Sequence, residues 1–150
     1  METQKAESRL TPRLVDALYV EAMLLADEAR AYFDEHGKDD REQLAPMLRV
    51  GFSCESLKVT TRLMHVIAWL LTRRAVESGE LNETQGRHPS RRLGHAVESD
   101  TTLVSQLPED AQALIVSSID LYDRVKRIDS GMEPTESPAH SLMRRLRASL

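Results

Sequence analysis

Apolar residues recur at spacings of three and four through most of the chain, a period that predicts helices. Thr11-Pro12 opens the first helix, with Thr11 as N-cap and Pro12 in the first helical position. Leu14, Leu18, Ala22, Leu25, Ala29 and Tyr32 form its apolar stripe, and Val15, Ala26 and Phe33 widen it. Asp16, Glu21, Asp27, Glu28, Asp34 and Glu35 lie off that stripe, and Gly37 is a terminator. The expected span is residues 12–35. Asp39-Asp40 can cap the next element. Pro46 cannot sit deep inside a helix, so a second, longer helix is expected over 45–78, ended by Gly79.

That middle helix carries two apolar stripes at 100° per residue. Leu48, Phe52, Val59, Leu63, Val66 and Leu70 form one, and Val50, Leu57, Met64, Ala68, Leu71 and Ala75 form the other, roughly opposite. A helix apolar on two sides needs two partners, which places it between the first helix and something else. Residues 79–102 lose the pattern, broken by Gly79, Gly86, Pro89 and Gly94. So long a connection is functional or disordered. A third helix is expected over 107–130. Leu107-Pro108-Glu109-Asp110 starts it, Leu107, Leu114, Leu121 and Ile128 mark it every seven residues with Ala111, Ser118 and Val125 between, and Gly131 ends it. Residues 132–150, with Pro134 and Pro138, read as a flexible tail. Its Leu142-Met143-Arg144-Arg145-Leu146-Arg147 is either a frayed, solvated end or a short basic helix on a partner, with Leu142, Arg144 and Arg145 as contacts. The expected fold is all-α: an antiparallel three-helix bundle over residues 1–131, with a long central helix, a long loop between helices 2 and 3, and flexible termini.

Composition narrows the function classes. Among 150 residues, 41 % are hydrophobic and only 4 % aromatic, which suits one α-helical domain better than a sandwich or barrel. The net charge of −4 argues against a nucleic-acid binder, although Arg87, Arg91 and Arg92 form a small basic cluster that such a module would use. Residues 1–43 hold 6 basic and 11 acidic residues, whereas residues 44–80 hold 5 basic and 3 acidic, so opposite charges help fix which surfaces meet. The single cysteine, Cys54, allows no intramolecular disulfide or thiolate cluster, reads as a buried inert thiol, and suits a reducing compartment. Met1 to Leu10 lacks the apolar core of a signal peptide, and no apolar run reaches a membrane span. A cytoplasmic protein is expected.

Chemistry-bearing motifs are missing. There is no phosphate-binding glycine loop and no E-x-x-H or H-E-x-x-H pair, so neither cofactor nor metal is expected. His36, His65, His88, His95 and His140 are scattered. His65 on the middle helix is a candidate phosphoryl acceptor, but Trp69 one turn on would crowd the approach. Between the two apolar stripes, Lys58, Arg62, His65, Trp69 and Arg73 recur at spacings of four, three, four and four. This basic sector with a tryptophan has two readings. Trp69 folds over the bundle edge while the arginines pair with acids of the first or third helix, or the sector is a docking or dimer face, since Trp and Arg anchor interfaces. On the second reading, Trp69→Ala weakens association more than folding. Thr60 and Thr61 are expected to bond their own helix carbonyls.

The string Glu55-Ser56-Leu57-Lys58-Val59-Thr60-Thr61-Arg62-Leu63-Met64, followed by Ala68-Trp69-Leu70-Leu71, Arg74-Ala75-Val76 and Gly79-Glu80, resembles the regulator of CtrA degradation (RcdA-like) family of alphaproteobacteria. The likeness includes Leu18-Tyr19-Val20-Glu21-Ala22-Met23, Leu121-Tyr122-Asp123-Arg124-Val125 and Arg127-Ile128-Asp129, covering about Leu14 to Gly131. The resemblance implies a three-helix bundle that self-associates as a homodimer and has no catalytic activity. It implies an adaptor or scaffold that helps deliver cell-cycle regulators such as CtrA to the ClpXP protease. The implied companions are ClpX, a CpdR-like receiver protein and a PopA-like protein, with the adaptor concentrated at a cell pole. Histidine phosphotransfer through His65 is the competing reading.

Overall fold

The computed structural model describes residues 10–132 and 138–149, so most of the expected N-terminal leader lies outside the described residues. Every regular element among them is helical: α1 (Pro12–Ala31), α2 (Lys38–Glu42), α3 (Pro46–Glu77), α4 (Glu83–Gly86), α5 (Thr101–Val104), α6 (Glu109–Gly131) and α7 (Pro138–Ala148). Thr11 caps α1 by accepting the Leu14 amide at 3.1 Å. A π-turn over Tyr32–His36 carries α1 onward to Gly37, whose amide bonds the Tyr32 carbonyl at 2.6 Å. The Tyr32 ring meets Phe33 edge-on at 5.2 Å, and Phe33 meets Phe52 of α3 at 5.3 Å. Burial, then the hydrogen bond to Asp40, pushes the Tyr32 hydroxyl well above its ordinary pKa. Gly79 ends the α3 segment with φ 83°, a conformation that costs a glycine little.

The three long helices pack on one another around Val15, Leu18, Ala22, Val59, Leu63, Val66, Leu70, Ile115, Leu121 and Val125, all buried. Their directions differ from the expected antiparallel bundle. Arg74 of α3 reaches Asp16, and Phe52 reaches Phe33, so α1 and α3 are antiparallel. Arg62 reaches Ser118, and Trp69 reaches Asp129, so α3 and α6 run parallel. Parallel neighbours need a return path, and the expected loop supplies it. It is an ordered crossover built from α4, a 3-10 turn at Pro89–Arg91, an extended stretch and α5. In the tail, residues from Pro138 to Ala148 form α7, the short basic helix that is one of the two readings of that segment.

The middle helix is turned relative to the reading of its two stripes. The stripe of Phe52, Val59, Leu63, Val66 and Leu70 is buried as expected. The opposite stripe is in solvent: Val50, Leu57, Met64 and Leu71 are between 48 % and 67 % exposed. The second partner of α3 covers the polar sector instead. Cys54, on the wet side, is exposed rather than buried.

Candidate functional site

Two surfaces of α3 compete for a functional role, the polar sector and the exposed stripe. The polar sector lies inside the fold. Arg62 and Trp69 are each 3 % exposed and Arg73 6 %. The Trp69 indole N–H donates to Asp129 Oδ1 at 2.9 Å, and Asp129 also accepts from Arg92 of the crossover through both oxygens at 2.9 Å. Arg73 reaches Glu83 of α4 at 3.3 Å. Arg62 donates to Ser118 Oγ on α6, and to the Val97 carbonyl and Ser99 Oγ on the crossover, at 3.2, 3.3 and 2.6 Å. Desolvation lowers the Arg62 pKa, and Glu55 opposes the effect. Lys58 bonds Glu55 at 3.0 Å and the Glu98 carbonyl at 3.1 Å. The polar sector of α3 therefore does not form an exposed basic docking face, because Arg62, Trp69 and Arg73 lie inside the fold. Trp69 lies inside the fold, but Arg62 and Arg73 take their partners from Ser118 and the crossover rather than from acids of α1 or α6. Thr60 and Thr61 bond the Ser56 and Leu57 carbonyls of their own helix.

His65 sits under the crossover. Its Nδ1 is buried without a hydrogen-bond partner, and a Cβ built on Gly94 would lie 2.8 Å from that nitrogen. Only a glycine lets the backbone approach the imidazole so closely. The Gly94 carbonyl accepts the Tyr122 hydroxyl at 2.6 Å, which pins the contact from the α6 side. A roofed ring does not offer the open Nδ1 approach that phosphoryl transfer at that atom requires. Gly94→Ala is expected to cost about 1–3 kcal/mol by overpacking. Most of that loss should return in Gly94→Ala/His65→Ala, measured by denaturant melts; equal losses in both variants would reject the contact.

The basic cluster of the crossover is also engaged. Arg87 pairs with Glu83, Arg91 donates to the Gln85 carbonyl, and Arg92 holds Asp129, so each of the three guanidiniums has a partner within the chain. A groove of ≈ 270 Å³ between the crossover and α6 mixes Arg62 and Lys126 with Glu98 and Asp123. Among the described residues no group of His, Cys, Asp or Glu has a metal-binding arrangement, and no helix is long and apolar enough to cross a membrane.

The exposed stripe of α3 is the surface whose chemistry has no internal explanation. Every exposed residue from Val50 to Leu71 is uncharged: Val50, Cys54, Leu57, Thr60, Thr61, Met64, Ala68 and Leu71. Contiguous exposed apolar residues on a helix mark a contact surface for another protein. Sequence periodicity registers this stripe but assigns it to the core. The missed signal lies in α6, where Ser118 interrupts the apolar stripe and Asp129 closes it, announcing polar partners across the interface. The tail residues Leu142, Arg144 and Arg145 all lie on α7, where Leu142, Met143 and Leu146 are 52–59 % exposed.

Comparison with known proteins adds to this geometry. The family described as "Protein of unknown function (DUF1465)" matches residues 6–150. No curated protein sequence matches. Among solved structures, RcdA from Caulobacter crescentus CB15 is similar at 34 % identity and a TM-score of 0.67, over 82 % of this chain and 93 % of that one.

Proposed function

The chain belongs to the DUF1465 family and is RcdA-like in sequence and fold, and from that premise we propose that it is a non-enzymatic adaptor in regulated proteolysis. In this reading it helps deliver cell-cycle regulators such as CtrA to ClpXP, alongside a CpdR-like receiver and a PopA-like protein. The observation that carries the reading is the 34 % identity to RcdA across 93 % of that chain. An adaptor needs surfaces rather than a reaction centre. Two modest contacts on one small protein raise the local concentration of substrate at the protease, and proteolysis accelerates without new chemistry.

The uncharged stripe of α3 is the surface assigned to this work, either toward a partner or toward a second copy. A central patch poor in charge and rich in Leu and Met suits such a contact. Reconstituted ClpXP degrading a CtrA-type substrate with a receiver protein tests the reading. Adding the chain is expected to accelerate degradation several-fold. Leu57→Asp/Met64→Asp is expected to abolish the acceleration while changing stability by no more than about 1 kcal/mol, because both positions face water. Degradation that ignores the chain would reject the adaptor, and a fully active double variant would reject the stripe.

A further inference from the structure

The outer face of α1 carries another apolar strip of different character. Ala17, Val20 and Leu24 follow at spacings of three and four, and all three are exposed. Acids flank this line on both sides, Asp16 and Asp27 along one edge and Glu21 and Glu28 along the other. Asp16 is tied to Arg74 and Glu21 to Arg124, whereas Asp27 and Glu28 enter no ion pair among the described residues.

α7 carries the matching pattern with opposite charge. Leu142 and Leu146 lie one turn apart with Met143 beside them, and helical geometry puts Arg145 on one flank and Arg147 on the other. A helix of 11 residues falls short of the roughly 12–15 that hold their shape alone in water, so α7 needs a surface to lie on. The stripe of α3 offers apolar contact but no exposed acid between Val50 and Leu71. The strip on α1 offers both.

We propose that α7 docks along the outer face of α1 of its own chain, with Leu142 and Leu146 against Val20 and Leu24. Arg145 and Arg147 then face the acidic edges that include Asp27 and Glu28. The connection allows it. α6 runs with α3 and against α1, so Gly131 leaves the fold at the end where α1 begins. Six residues separate Gly131 from Pro138, enough to span about 20 Å, twice the roughly 10 Å width of a helix. The docked tail makes the face of α1 selective: a partner's basic amphipathic helix gains it only by displacing α7.

The test uses the full chain with Cys54→Ser, so that the only thiols are those of Val20→Cys and Leu142→Cys, which face each other in the proposed docking. Mild oxidation is expected to give a disulfide within one chain, seen as a faster-migrating monomer on a non-reducing gel. Adding Arg145→Glu/Arg147→Glu should slow its formation at least tenfold. Further addition of Asp27→Lys/Glu28→Lys should restore the rate. All these positions are exposed, so the fold is retained, and circular dichroism checks that it is. Cross-linked dimers in place of monomers would put α7 on a second copy and overturn the proposal. No disulfide, or a rate indifferent to the charge reversals, would overturn it as well.

Discussion

Trp69→Ala is expected to lower the melting temperature by roughly 6–20 °C, because replacing a buried Trp with Ala costs about 3–5 kcal/mol and each kcal/mol shifts a domain of this size by about 2–4 °C. The indole is 3 % exposed, and its N–H is one of the bonds that hold Asp129. Its loss opens a cavity between α3, α6 and the crossover, and leaves Asp129 to Arg92 alone. Trp69→Phe separates the two contributions. It keeps most of the apolar volume and removes only the donor, so it should cost about 1–2 kcal/mol. Any loss of partner binding in Trp69→Ala should track the loss of folded protein. A variant that melts near the wild-type temperature yet fails to bind partners would reinstate Trp69 as a contact residue.

Glu55→Ala is expected to destabilise the fold by about 3–5 kcal/mol through the charge it leaves behind. Glu55 is fully buried, binds Lys58 and accepts a hydrogen bond from Ser99. Ser99 in turn accepts from Arg62, so one hydroxyl links an anion on α3 to a cation two turns further along it. Lys58 can turn toward water when Glu55 is gone, but the Arg62 guanidinium cannot, and it never deprotonates near neutral pH. Urea melts of Glu55→Ala, Arg62→Met and the double variant measure the coupling. The double should cost clearly less than the two singles added together; strict additivity would show that the two charges do not depend on each other.

These two residues also mark where the chain's pattern is readable and where it is not. The long helices are legible because Thr11-Pro12, Pro46, Gly79 and Gly131 punctuate them locally. The π-turn at Tyr32–His36 and the short α2 are not, since both depend on contacts such as Tyr32 with Asp40. The orientation of α3 is not legible either. Its two apolar stripes look equivalent to periodicity, and which one is wet depends on partners far along the chain: Asp129 for Trp69, Ser118 and Ser99 for Arg62. A sector of Arg, His and Trp reads as surface until an ordered crossover satisfies it. That same misplacement hides the candidate site, because periodicity counts the stripe of Leu57 and Met64 as core.

The parallel course of α3 and α6 carries an electrostatic consequence. Two helices side by side and pointing the same way align their macrodipoles, and their carboxyl ends bring two partial negative charges together. Antiparallel neighbours cancel this; parallel ones need cations at the shared end. The chain puts them there. Arg73 and Arg74 sit near the end of α3, and the crossover delivers Arg92 to the Asp129 carboxylate and backbone carbonyl near the end of α6. Each such cation contributes roughly 0.3–1 kcal/mol, an amount that salt screens. Arg92, one of the three arginines that resembled a nucleic-acid patch, thus acts with Arg73 and Arg74 as a counter-charge for the helix pair, and raising ionic strength should loosen this end of the molecule before the other.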